Sequence, residues 1–288
     1  MKFFFLFAFI TSAIGLSAGI YNNGANIVVT SGTSVVVQGD IRSENAVSAG
    51  TFINDGSIYV SGNITNNSTG EFFAIDATAG TLFFNGTGAQ LVNGTGTYRF
   101  ESISVAASSV PTVSRNSVAQ NVTLNGTGAN LSVSDNFRIS GSLSGAGLVQ
   151  TTGTGYLEMK PTVNVPLTYP ITDGANNLSF TITTSSQLAD YLKIRLSDQS
   201  TTQRASIANF WDIACYEEFS DATISMIIPK TALKAGTWRN TNQLRYFDRT
   251  ENRYKIFPQE NINIVNNANS VSVTINGVDS EIATSIEN

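Results

Sequence analysis

The chain contains no histidine, which removes the Ser-His-Asp and Cys-His nucleophile systems and the usual imidazole zinc sites. Its single cysteine, Cys215, has no partner for an intramolecular disulfide, so stability must come from burial and backbone pairing. Within Asp212-Ile213-Ala214-Cys215-Tyr216 that thiol reads as a small buried apolar residue. Charge is also scarce: Asp, Glu, Lys and Arg make up 13% of the 288 residues, with a net charge of −5. There is no basic stripe to displace counterions from phosphates, so nucleic acid is not an expected partner. After the N-terminal run, no segment approaches the roughly 18–20 apolar residues of a membrane-spanning helix. Nor does any stretch keep a helical period over a useful length.

What is present begins with Met1 and Lys2, an apolar run from Phe3 to Ile14 and the small-residue stretch Gly15-Leu16-Ser17-Ala18-Gly19. This is the three-part layout of a secretory signal peptide. Residues 1–18 are therefore expected to be a signal removed after Ser17, Ala18 or Gly19, and no cysteine stands there to take a lipid anchor. The protein is expected to be exported to the extracellular space or outer cell surface, with the periplasm as the alternative.

Charge and proline mark a boundary within the remainder. No lysine follows Lys2 until Lys160, Pro161, Pro166 and Pro170 cluster just beyond it, and both tryptophans, Trp211 and Trp238, come later still. The division predicted is a repeat domain over 19–157 and a second domain over 158–288. In the first, short alternating apolar segments end in glycine, as in Val35-Val36-Val37-Gln38-Gly39, Ile58-Tyr59-Val60-Ser61-Gly62, Leu82-Phe83-Phe84-Asn85-Gly86, Val122-Thr123-Leu124-Asn125-Gly126 and Phe137-Arg138-Ile139-Ser140-Gly141. These glycines recur at intervals of 23, 24, 40 and 15 residues, and Ile103-Ser104-Val105 supplies a degenerate unit inside the long gap. A period near 20 built from a strand and a turn indicates a solenoid, whose units bury their apolar faces only by stacking. Ile58 and Val60 are expected to point into a common core and Tyr59 outward. Asn85-Gly86-Thr87-Gly88 and Asn93-Gly94-Thr95-Gly96 are expected to turn the corners with positive φ angles. Asn-Gly between apolar runs is also a hairpin signal, so an antiparallel sandwich competes with a parallel β-helix here.

The second domain has longer strand-like runs at Leu178–Thr183, Tyr191–Leu196, Ala222–Ile228, Gln243–Phe247, Arg253–Phe257 and Ser270–Ile275. Separated by turns and without a convincing helix, they predict an antiparallel β-sandwich. Its expected core includes Phe180, Ile182, Ile194, Trp211, Ile213, Ile224, Met226 and Trp238. The fold class expected is thus all-β: a parallel β-helix-like solenoid followed by an antiparallel sandwich.

Three stretches carry a family resemblance: 19–27 (Gly-Ile-Tyr-Asn-Asn-Gly-Ala-Asn-Ile), 50–67 with its Gly50-Thr51-Phe52-Ile53-Asn54-Asp55-Gly56 opening, and 80–90 (Gly-Thr-Leu-Phe-Phe-Asn-Gly-Thr-Gly-Ala-Gln). Together they resemble the N-terminal regions of large secreted proteins of Bacteroidetes. Phe210-Trp211-Asp212-Ile213 and Gly236-Thr237-Trp238 are similar to the β-sandwich that often follows. The resemblance implies export across the outer membrane, often by the type IX route, and a role in surface adhesion, gliding or matrix. No sorting domain is evident before Ile286-Glu287-Asn288, which leaves periplasmic residence or anchoring through a partner as alternatives.

Chemistry without histidine falls to carboxylate, lysine or tyrosine. In the repeat domain the acids Asp40, Glu44, Asp55, Glu71, Asp76, Glu101 and Asp135 stand singly, against the paired carboxylates that glycosidases need. Glu217, Glu218 and Asp221 form the densest acidic group and are the candidate ligands for Ca²⁺ through oxygen donors; a solvated loop is the plainer account. β-Helix polysaccharide lyases work in some cases with Ca²⁺ and a basic residue, but only Arg42, Arg99, Arg115 and Arg138 are basic in this domain. For binding, Tyr246, Tyr254 and Phe257 with Arg253 are candidates for a sugar-stacking platform, against strand core alternating with a charged face. The expected function is that of a non-enzymatic structural or adhesive surface protein, a rigid spacer that contacts other surface proteins, copies of itself or glycans. A carbohydrate-binding or polysaccharide-cleaving β-helix protein is the alternative.

Overall fold

The computed structural model describes residues 18–44, 51–69, 72–73, 80–188, 190–198, 209–215, 219–233, 245–248, 253–279 and 285–287. Among them there is no α-helix, and the chain is built almost wholly of strands. The first rung comprises β1 (Ile20–Asn22), β2 (Ile27–Val29) and β3 (Ser34–Val37). The second comprises β4 (Ile41–Ser43), β5 (Phe52–Asn54) and β6 (Ser57–Val60), and the third β7 (Ile64–Asn66) and β8 (Thr81–Phe84). Then come β9 (Ala89–Gly94) with β10 (Tyr98–Val105), β11 (Val110–Val113) with β12 (Ser117–Leu124), β13 (Asn130–Val133) with β14 (Phe137–Gly145), and β15 (Leu148–Thr151) with β16 (Leu157–Met159).

All pairings among these strands are parallel. That settles the first half as a solenoid of about six turns and excludes the hairpin alternative. One face is the ladder β1-β4-β7-β9-β11-β13-β15, and a second begins with β3-β6-β8. A third starts as β2-β5 and continues through the bridges Phe52–Phe72 and Phe72–Tyr98. From there β10, β12 and β14 are long enough to serve two faces each. An extra residue in β14 opposite Ala119–Asn121 marks the corner.

Stacking makes the core a set of columns. Val37, Val60, Phe84, Val105 and Leu124 are in register on successive rungs and are all buried. Ile58 and Val60 are fully buried and Tyr59 is not, as the alternation requires. The degenerate unit in the long gap is real, since Ile103 pairs with Leu82 below and Val122 above. On the third face Phe52, Phe72 and Tyr98 meet edge to face at 5.2 and 6.0 Å, an arrangement adding about 0.5–1.5 kcal/mol per pair beyond burial.

The turn glycines act differently from expectation. Of the four in the two Asn-Gly-Thr-Gly pieces only Gly94 has positive φ, at 115°. Gly86 and Gly96 are demanded by space: a Cβ would lie 2.5 Å from the Ser61 carbonyl oxygen and 2.2 Å from Asn66 Nδ2, respectively.

The parallel run ends at β16, and the remaining strands are β17 (Leu167–Tyr169), β18 (Phe180–Thr183), β19 (Leu192–Asp198), β20 (Asn209–Cys215), β21 (Ala222–Pro229), β22 (Arg245–Asp248), β23 (Arg253–Ile256), β24 (Ile262–Asn266), β25 (Ser270–Val278) and β26 (Ser285–Glu287). One antiparallel sheet runs β17-β18-β21-β25-β24. The other layer is not separate from the solenoid: β19 pairs antiparallel with β16, and β20, β26, β22 and β23 follow to complete a single 12-stranded sheet. Phe180, Ile182, Ile224 and Met226 from one layer and Ile194, Trp211 and Ile213 from the other are all buried, while Trp238 lies outside the described residues. The Tyr169 hydroxyl donates toward the carbonyls of Met159 (3.2 Å) and Leu192 (2.9 Å), tying the layers together at the changeover.

Candidate functional site

The junction between parallel and antiparallel strands brings together five charged residues, Arg138, Glu158, Lys193, Arg195 and Asp212. In β16, Leu157 and Met159 face the core, so alternation sends Glu158 to the other face, yet it is only 3% exposed. Register places Arg138 of β14 on one side of it and Lys193 of β19 on the other. Arg138 Nε donates to Glu158 Oε2 at 2.9 Å, and Lys193 Nζ lies 2.9 Å from Oε1. One step along the same face, Arg195 of β19 is opposite Asp212 of β20 and holds its Oδ2 through Nη2 at 2.7 Å. The Tyr156 hydroxyl donates to that same oxygen at 2.7 Å. Two rings complete the seam: Arg195 lies 4.5 Å over Tyr156 and Arg138 lies 4.2 Å over Tyr191.

The chemistry of this arrangement is that of a clamp. Each carboxylate is held by two donors, which fixes its position between neighbouring strands. Asp212 Oδ1 is the exception, buried without a hydrogen-bond partner. Elsewhere, Asn54, Phe73, Gly80, Leu82, Phe100, Glu101 and Ser102 line a cavity of about 10 Å³, room for about one water. There the Gly80 N–H donates to Glu101 Oε2 at 3.0 Å. Comparison with protein-family models, with curated proteins and with solved structures returned no match. Among the described residues no group of three His, Cys, Asp or Glu is placed to hold a metal ion, and no helix is long and apolar enough to cross a membrane.

The residues singled out from sequence lie elsewhere. Tyr246 on β22 pairs with Lys255, and Tyr254 on β23 pairs with Phe247, so the two tyrosines are not opposite one another. Arg253 is exposed and pairs with Asp248, whereas Phe257, just past β23, is buried at 2% exposure. Asp221 is exposed with a φ of 53°, and its backbone N–H donates to Asp279 Oδ1 at 3.1 Å. Glu217 and Glu218 lie outside the described residues.

The charged seam was not anticipated, although a signal exists. Leu157-Glu158-Met159, Leu192-Lys193-Ile194-Arg195-Leu196 and Trp211-Asp212-Ile213 each set a charge between two core residues, with signs that complement across the strands.

Proposed function

We propose that the protein is a non-enzymatic structural and adhesive protein of the outer cell surface, a stiff spacer that presents interaction surfaces at its ends. The observation that carries this reading is the 12-stranded sheet running without interruption from β3 in the first rung to β23 in the sandwich layer. At the usual strand separation it spans roughly 50 Å of continuous backbone hydrogen bonding. The charged seam clamps that sheet where its strand direction changes, the one place where a hinge would otherwise be expected. The signal-like N-terminus and the resemblance to secreted Bacteroidetes proteins support export, with type IX secretion as the proposed route. The partners proposed are other surface proteins, copies of the chain and glycans.

The test is deletion in the source organism followed by complementation. Adhesion of the cells to surfaces and to one another falls on deletion and returns with the wild-type chain. Purified protein incubated with a polysaccharide panel releases no reducing or unsaturated ends. Measurable cleavage, or adhesion unchanged by deletion, would overturn the reading and favour the carbohydrate-active alternative.

A further inference from the structure

We propose that the first rung of the solenoid is a self-complementary interface that pairs head to head with the same rung of a second copy. The inference rests on the reading of the protein as an interaction module and specifies the partner of its N-terminal end. β1, β2 and β3 are each the terminal strand of their ladder. Toward the second rung they are fully engaged: Ile20 and Ile27 N–H groups donate to the Asp40 and Thr51 carbonyls, and the Asn22, Val29, Thr33 and Val37 carbonyls accept from Glu44, Asp55, Ser57 and Ser61. Backbone groups alternate along a strand, so the amides of Tyr21, Val28, Ser34 and Val36 point the other way.

The core is cut open at the same end. Ile20, Ile27 and Val35 are only partly buried, whereas the residues in register with them one rung on, Ile41, Phe52 and Ile58, are fully buried. Tyr21, Val28 and Val36, one on each face, are 65%, 53% and 66% exposed. Free sheet edges in natural proteins are normally blunted by lysine, proline or other charge. Residues 18–39, the whole first rung with its turns, contain no charged residue and no proline.

The far end is different. Val149 of β15 exchanges hydrogen bonds with Pro170 and Thr172, and β16 is covered by β19. The last strand of the long sheet, β23, carries Arg253 and Lys255. Head-to-tail stacking is therefore blocked, and association through the open rung closes at two copies. The geometry suits a two-fold. A copy turned end over end runs around the axis in the opposite sense, so every facing pair is antiparallel. A two-fold through Val36 of β3 sets Val36 against Val36 and Val35 against Val37 of the second copy, and β1 against β2, three on three. With no charge on either rim, nothing repels.

Analytical ultracentrifugation of the purified protein, its N-terminus fixed by mass spectrometry, tests this. The expected result is a concentration-dependent species of twice the chain mass and nothing larger. Val36→Lys sets like charges across the two-fold and weakens association roughly tenfold or more, with an unchanged melting temperature because that side chain projects from the solenoid. Ile227→Lys, exposed on the separate antiparallel sheet, leaves association unchanged. Val36→Cys gives a covalent dimer on oxidation that the wild type, with Cys215 alone, does not. A monomer at every concentration, a ladder of larger species, or a dimer indifferent to Val36→Lys would each overturn the proposal. A dimer with these properties in cells whose adhesion ignores deletion would leave the interface standing and remove only the adhesive role.

Discussion

Glu158, on the last parallel strand, and Lys193, on the first antiparallel strand beyond it, are direct partners in the sheet register with Oε1 and Nζ 2.9 Å apart. Their side chains are 4% and 11% exposed, and Arg138 completes the set at 37%. This contact lies where the solenoid hands its sheet to the sandwich.

Removing the shared carboxylate strands two cations, one of them buried. Glu158→Ala is expected to cost about 3–5 kcal/mol, the range for breaking a buried pair from one side. Arg138→Ala, at a much more exposed position, is expected to cost about 1 kcal/mol or less. Denaturant unfolding of the two variants measures both, and the order of the effects is the sharper test.

Backbone crowding sets a second expectation. A Cβ at Gly94 would lie 2.1 Å from the Asn66 carbonyl oxygen, and φ there is 115°. Gly94→Ala should therefore lose about 2 kcal/mol or more. Gly88, where a Cβ meets nothing within 4 Å, should accept alanine with little change. Thermal melts of the pair separate a demand for space from a general dislike of alanine in turns.

A pH effect follows from the outer face of the second rung. The hydrogen bond from the Arg42 guanidinium, joined by one from Asn67, holds the Glu44 carboxyl below its ordinary value of 4.5, against a smaller opposing effect of burial. Because the folded value is depressed, the stability this group contributes is present above 4.5 and is lost as pH falls through the lower folded value. Comparing wild type with Glu44→Gln by urea unfolding should show a difference at neutral pH that closes in acid. A difference that persists unchanged in acid would contradict the assignment.

Much of the solenoid was legible because its physics is local and repeated. Ile58-Tyr59-Val60 shows which side chains point inward, and the glycine recurrence gave the rung length closely enough to place Ile103-Ser104-Val105 as a unit. The change in lysine and proline usage near residues 155–160 falls where β16 takes an antiparallel partner. Four strands of the second half, β17, β20, β24 and β26, have no counterpart among the runs legible in the sequence. Leu167–Tyr169 and Ser285–Glu287 are only three residues each, too short to show a period of two. The continuity of the long sheet was invisible for a different reason. Pairing of Leu157–Met159 with Leu192–Ile194 is a long-range choice, and no local pattern announces that a second domain will borrow the first domain's edge. The charged seam depends on that same pairing, which brings Glu158 to Lys193 and Asp212 to Arg195.

The claim that the protein is a spacer on the outside of the cell is tested most directly by protease treatment of intact source cells, followed by immunoblotting for the chain. Loss of the full-length band from intact cells, with a periplasmic marker left untouched, is the predicted result. Protection until the outer membrane is permeabilised would contradict it.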